Sequence, residues 1–371
     1  MLRINRYKST LTVSLLFCLL STMSCGFEDD YEDNCDDVVR VAFKMSFADS
    51  NTRAVNEGWG DYNPTDPGVA YENAINPDQL QIKVCDVSGN IIADVENVIA
   101  IKGETDGNYT ITGTWEDAAD KLTQAKKIMV FANCGPTNVT QSNIASLAFN
   151  KDDTKQYIPM WGVTTLGQTL QIGKSNDLGT IYLLRSLAKV KVKMKEGMKA
   201  SGYSLGEITF NNYNTRGYTL PATYNTASDT KQIFFNNSLR PLASLAAAPI
   251  AMTNSESDEE SIMLYIPEYD NKGAATDKKA TITLKLKCEG MDDGTYTLQF
   301  CNYTDGAPDP TTLYNIQRNH YYEYTVYKDD RVKIALTVKE WNKRNHSEII
   351  IPTIIMYTMK RVRQILPNSI H

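Results

Sequence analysis

Through most of this chain, apolar and polar residues alternate one for one. The clearest run is Val39, Val41, Phe43, Met45 and Phe47, interleaved with Arg40, Ala42, Lys44 and Ser46. Successive side chains of a strand point to opposite faces, so the run predicts a strand with one buried and one wet face. The same period predicts strands at residues 80–84, 109–114, 127–132, 170–172, 181–194 and 207–212. Further ones are predicted at 262–266, 281–288, 296–303, 321–327 and 332–338. Turn residues separate them, as at Ser88-Gly89-Asn90 and Asp293-Gly294. Helical spacing is confined to residues 116–125 and 140–149. Many short strands with a few short helices predict an all-β fold of sandwich type, not alternating β and α units.

The loop-forming stretch Gly173-Lys174-Ser175-Asn176-Asp177 precedes a long alternating run, LLRSLAKVKVKM. This predicts two domains, 38–183 and 184–371, the second ending in a tail, 342–371, of open role. Residues 349–351 and 354–356 of the tail are apolar, but Pro352 lies between them and cannot donate to a strand ladder.

The N-terminus has a different pattern. Arg3, Arg6 and Lys8 precede a short apolar core, residues 11–20, and mostly small residues then lead to Cys25. That is the layout of a secretory signal over 1–24, with an apolar run too short to span a bilayer. A cysteine at the cleavage point is the arrangement of a lipoprotein, although Thr22 stands where such signals usually carry leucine. The alternative is an ordinary secreted protein with Cys25 as a plain thiol. Residues 25–37 are acidic and read as a solvated tether.

Composition narrows the chemistry. A chain of 371 residues with a formal net charge of −6 offers no basic footprint for nucleic acid. There are 3 histidines and no Cys-x-x-Cys pair, so no metal site is expected. Phosphate-loop, dinucleotide, zinc-protease and nucleophile-elbow fingerprints are absent from the sequence, so neither an enzyme nor a cofactor is expected. Cys288 and Cys301 flank the turn sequence Met291-Asp292-Asp293-Gly294, a candidate disulfide across a hairpin.

Several local motifs remain. Thr52-Arg53-Ala54 precedes a segment in which Gly68, Tyr71, Glu72 and Ile75 are spaced as G-x-x-Y-E-x-x-I. Ile158-Pro159-Met160-Trp161-Gly162 and Leu184-Arg185-Ser186-Leu187-Ala188-Lys189-Val190 follow. Tyr265-Ile266-Pro267-Glu268, Arg318-Asn319-His320-Tyr321-Tyr322 and Val338-Lys339-Glu340-Trp341 complete the series. In order and spacing this series resembles the fimbrillins of Bacteroides-type bacteria, subunits of type V pili.

The resemblance implies two tandem transthyretin-like β-sandwich domains and a structural subunit of a cell-surface fimbrium that contributes to adhesion. It implies a precursor held on the outer membrane by acyl chains, palmitate among them, on Cys25. An arginine-specific protease would cut between Arg53 and Ala54, releasing the first strand, 38–47, with its lipid. Other fimbrial subunits would be the partners, refilling the groove by donor-strand exchange. Val332, Ile334, Leu336 and Val338 suit a donor strand or a final core strand equally. Two alternatives remain: an anchor subunit that keeps its lipid, and a non-polymerising surface lipoprotein that binds glycan or host protein.

Overall fold

The structure, a computed structural model, describes residues 38–47, 69–103, 108–116, 118–223, 225–226, 233–234, 239–253 and 261–341. The fold is all-β, and the helices among the described residues are 3₁₀ turns of three or four residues.

The first half runs β1 (Val39–Phe47), β2 (Gln81–Cys85), β3 (Ile91–Lys102), β4 (Tyr109–Trp115), β5 (Lys127–Ala132), β6 (Ala148–Asn150), β7 (Met160–Thr165) and β8 (Ser175–Arg185). All but β6 join one ring, in the order β1-β4-β3-β2-β5-β7-β8 and closed by β1 against β8. The sequence led us to expect two facing sheets here; instead one sheet curls shut. Irregularities in register supply the curl, at Val84/Cys85, Glu96/Ile99 and Ala42/Lys44. Each bulge bends and twists its strand, and bends repeated round a sheet bring its edges together. Gly162 permits the tight β7–β8 approach, since a Cβ there would lie 2.4 Å from the Tyr182 carbonyl oxygen. The ring interior is filled by residues such as Phe43, Ile82, Ile111, Ile128 and Leu183. On the outer face of β5 and β7, Met129, Phe131, Trp161 and Val163 pack under Val139, Ile144 and Leu147.

The second half begins with β9 (Ala188–Met194), β10 (Tyr203–Asn211), β11 (Arg216–Tyr218), β12 (Asn225–Thr226) and β13 (Ile233–Phe234). It continues with β14 (Ile250–Thr253), β15 (Ser261–Ile266), β16 (Thr281–Cys288), β17 (Gly294–Gln299), β18 (Asn302–Thr304), β19 (Ala307–Asp309), β20 (His320–Lys328) and β21 (Val332–Glu340). Two four-stranded sheets, β14-β10-β16-β17 and β15-β9-β20-β21, face a common core. Val190, Leu264, Tyr324 and Ile334 enter it from one sheet, Phe210, Ile282 and Leu298 from the other. A small ladder, β6 with β11, stitches the halves together.

Some predicted elements differ. The run 181–194 is two strands, interrupted where Ser186 turns its hydroxyl to the Thr219 carbonyl, 3.1 Å away. The expected boundary at 183/184 therefore falls inside β8. Residues 170–172 are loop and turn, because the Asn176 side chain occupies the Gln171 backbone N–H and carbonyl. The helical spacing at 116–125 gives only turns, and 140–149 holds one 3₁₀ turn, Ile144–Ser146, before β6. Segments that short lack the length to repay helix nucleation and settle for burying Ala118, Ala125 and Ile144.

Candidate functional site

The first strand occupies a slot with two unlike walls. It pairs antiparallel with β4 from Val39↔Trp115 to Met45↔Tyr109, and parallel with β8 from Arg40↔Ser175 to Phe47↔Leu183. Val39, Val41, Phe43 and Met45 all point inward and are at most 2% exposed, while Arg40 and Lys44 face solvent. Full burial of such side chains is worth roughly 1.5–3 kcal/mol each. Without β1 the ring would be an open six-stranded sheet with unpaired edges on β4 and β8, a template for another strand. At the slot's entrance the 171–174 loop and the start of β8 hold β1 by its main chain. The Gly173 N–H donates to the Val38 carbonyl at 2.9 Å, and Asn176 Nδ2 to the Arg40 carbonyl at 3.0 Å.

The remaining motifs meet in two buried polar knots. In the first, the Glu72 carboxylate pairs with Lys189 Nζ at 2.8 Å. It also accepts from the Tyr265 hydroxyl at 2.7 Å and from Trp341 Nε1 at 3.0 Å. Arg185 donates through Nε to the Glu72 carbonyl, through Nη2 to Asn73 Oδ1 and through Nη1 to the Trp341 carbonyl. Its guanidinium lies 4.7 Å from the Trp341 ring centre, and Tyr265 stacks on that ring. Glu72, Lys189 and Arg185 are each no more than 2% exposed. Charges so buried persist only when paired or hydrogen-bonded: Lys189 meets the Glu72 carboxylate, and Arg185 donates from all three of its nitrogens.

The second knot centres on Glu268 and Arg318, 2.8 Å apart and both buried. Arg318 also donates to the carbonyls of Thr219 (2.6 Å) and Tyr218 (2.9 Å). Asn214 Nδ2 donates to the Glu268 carbonyl. His320 lies beside this pair with Nδ1 at 2.6 Å from the Arg318 carbonyl, and burial pulls its pKa down to about 4. A neutral imidazole donating Nδ1–H to that carbonyl satisfies both groups. The Tyr265-to-Glu268 motif thus feeds both knots, and Arg318 and Asn319 are likewise divided between them, Asn319 Oδ1 accepting from Arg185. Composition hid these knots: each charged residue alone looks like surface, and only its far partner buries it.

Other predicted site residues lie apart. Cys25, Arg53, Ala54 and the tail 342–371 fall outside the described residues. Val332, Ile334, Leu336 and Val338 lie on β21, paired with β20 along its whole length at the edge of its sheet, with Ile334 and Val338 in the core. Cys288 and Cys301 are free thiols, which corrects the expected disulfide. In the β16–β17 hairpin Leu286 pairs with Gly294 near the turn and Thr281 with Gln299 at the far end. Cys288 is at the turn and Cys301 lies beyond the opposite end, past the stretch from Thr281 to Cys288, which alone spans roughly 24 Å of strand, where a disulfide needs Cα atoms about 6 Å apart. Among the described residues, no three potential metal ligands come together.

No protein-family model matches the chain, and no curated protein does. Among solved structures, it is similar to a candidate cell-adhesion protein of Bacteroides fragilis, at 12% identity, covering 85% of this chain and 100% of that one, with a TM-score of 0.35. A candidate polysaccharide-binding protein of Bacteroides thetaiotaomicron gives 12% identity, 83% and 100% coverage and a TM-score of 0.34. The fimbrial anchor protein Mfa2 of Porphyromonas gingivalis gives 9% identity, 82% and 99% coverage and a TM-score of 0.25. Superposition at this level is loose.

Proposed function

We propose that this chain is a structural, non-enzymatic subunit of a cell-surface fimbrium that contributes to adhesion, delivered to the outer membrane as a lipoprotein through Cys25. The observation that carries the reading is the placement of β1, the first described strand, which closes the ring and is joined onward through the sequence that holds Arg53. Cleavage between Arg53 and Ala54 by an arginine-specific protease would cut the covalent link from β1 to the body, leaving β1 and its lipid held by strand pairing, apolar packing and the loop hydrogen bonds, all of which another strand can replace. The vacated slot then takes a strand from another subunit. The two halves are read as tandem transthyretin-like domains, the first closed into a ring by β1 and opened again when β1 leaves.

One observation favours a second reading. Because β21 is paired throughout and partly buried, donating it would unpick the protein's own core. This supports a subunit that receives a strand without giving β21, as an anchor or tip does, with Cys25 retained in the anchor. The test is the N-terminus of the protein on cells, together with its behaviour in SDS. Ala54 at the N-terminus with SDS-resistant, heat-labile ladders is expected of an assembled subunit, and lipidated Cys25 of an anchor. A lipidated monomer that is never incorporated into fimbriae sinks both and leaves a surface lipoprotein that binds glycan or host protein.

A further inference from the structure

The entrance to the β1 slot has a feature that strand pairing alone does not require. Asn176 is buried, and its carboxamide is fully committed. Oδ1 accepts the Gln171 N–H at 2.7 Å, while Nδ2 lies 2.9 Å from the Gln171 carbonyl, 3.0 Å from that of Lys174 and 3.0 Å from that of Arg40. The two Nδ2 protons are shared among three carbonyls, those of Gln171 and Lys174 shaping the loop and that of Arg40 lying across on β1. Two residues earlier, just before β1, the Val38 carbonyl accepts the Gly173 N–H, offered from a loop position with φ of +70°. Both contacts are to carbonyl oxygens, so they ask nothing of the side chains in the slot.

Just inside the entrance the β8 wall carries an extra residue. Ala42 pairs with Asp177 but Lys44 with Thr180, and Gly179, with φ of +72°, donates its N–H to Asp177 Oδ1 at 2.8 Å. A bulge of this kind fixes where the pairing shifts. Strand carbonyls alternate between the two neighbours, so a slip by one residue would turn the acceptors away from Gly173 and Asn176 and expose the apolar set.

We propose that Asn176, with the Gly173 N–H, is the main-chain anchor for any strand that fills this slot, gripping its first residues and excluding odd registers. The occupant is β1 in the precursor and, on the strand-exchange reading on which this rests, an extended segment of another fimbrial subunit with apolar residues at alternate positions. Asn176 is a positioning residue, and specificity for one donor over another resides in the pockets that hold Val39, Val41, Phe43 and Met45.

The test uses the full chain with a site for a sequence-specific protease inserted after Asn51, cut and mixed with excess fluorescent peptide of the sequence of residues 38–47. In wild type the peptide should displace β1, and a photo-cross-linker at its Arg40 position should mark residues 175–177. Asn176→Asp keeps the acceptor for Gln171 but sets a carboxylate oxygen against three carbonyls. It should release the peptide about tenfold faster, the loss of one buried hydrogen bond with some repulsion, and scatter the cross-links. A peptide with a thioamide in place of the Arg40 carbonyl weakens the same acceptor without touching the protein. It should dissociate several-fold faster from wild type and no faster than the unmodified peptide from Asn176→Asp. No uptake by wild type defeats the exchange reading and the anchor with it. Uptake with unchanged release and cross-links in Asn176→Asp, or an additive thioamide effect, overturns the anchor alone.

Discussion

The β1 slot and the buried knots hold the chain by opposite means. In the slot, aliphatic and aromatic side chains meet generic pockets and a main-chain ladder, interactions that another strand of similar pattern can reproduce. In the knots, Glu72 accepts from Lys189, Tyr265 and Trp341, drawn from three separate strands or strand ends, and no other segment could supply that set. Replaceable contacts sit where a strand is proposed to leave. Irreplaceable ones join the halves that must stay together when it does.

The largest expected effect breaks the knot side of this contrast. Glu72→Ala removes the carboxylate that pairs with buried Lys189, and denaturant unfolding should show a loss of about 3–5 kcal/mol. Adding Lys189→Met should recover part of that, since it removes the buried ammonium. Phe43→Ala tests the slot: the intact chain should lose about 3 kcal/mol to the cavity. After cleavage between β1 and the body, this variant should shed β1 faster than wild type while the second half keeps its near-ultraviolet circular dichroism. If Phe43→Ala disrupted both halves equally, the proposed division of labour would fail.

Acid sharpens the comparison further. His320 is neutral in the fold with a pKa of about 4, whereas the unfolded chain takes up a proton near the ordinary value of about 6.5. The unfolded state therefore binds more protons between those limits, and stability falls as pH drops from about 6.5 to about 4, by at most roughly 3 kcal/mol. Above that window His320 contributes no pH dependence. Denaturant curves across it should be flatter for His320→Gln than for wild type. The smallest effect is expected at Cys288→Ser, within about 0.5 kcal/mol, because there is no disulfide to lose. A drop of several kcal/mol there, or a mass two units lower than the free thiols require, would reinstate the bond.

Legibility in the sequence followed the range of the interactions. Period two marked β1 and β4 to within a residue because alternation is a local property. It did not reveal ring closure, which depends on bulges and on β1 meeting β8, more than a hundred residues later in the chain. Nor did it separate Lys189 from Lys191 and Lys193, which share its alternation; only Lys189 is met by Glu72 and buried. The motifs marked the knot residues without saying what they do, because Trp341 and Glu72 are 269 positions apart. The hairpin cysteines misled for a related reason: closeness in sequence around a turn does not set which rung of a ladder each residue occupies.

The hold on Trp341 has a mechanical consequence. Its indole N–H, its ring face and its carbonyl are gripped by Glu72, Arg185 and Tyr265. Tension applied to the chain beyond Trp341 would therefore enter the molecule at this junction, shared between both halves, before it reached the β20–β21 ladder. A hairpin edge pulled from its end unzips one rung at a time, whereas a side chain fastened on three sides must break several bonds at once. The protein would thus resist pulling from that end as a rivet does, and yield abruptly when it yields.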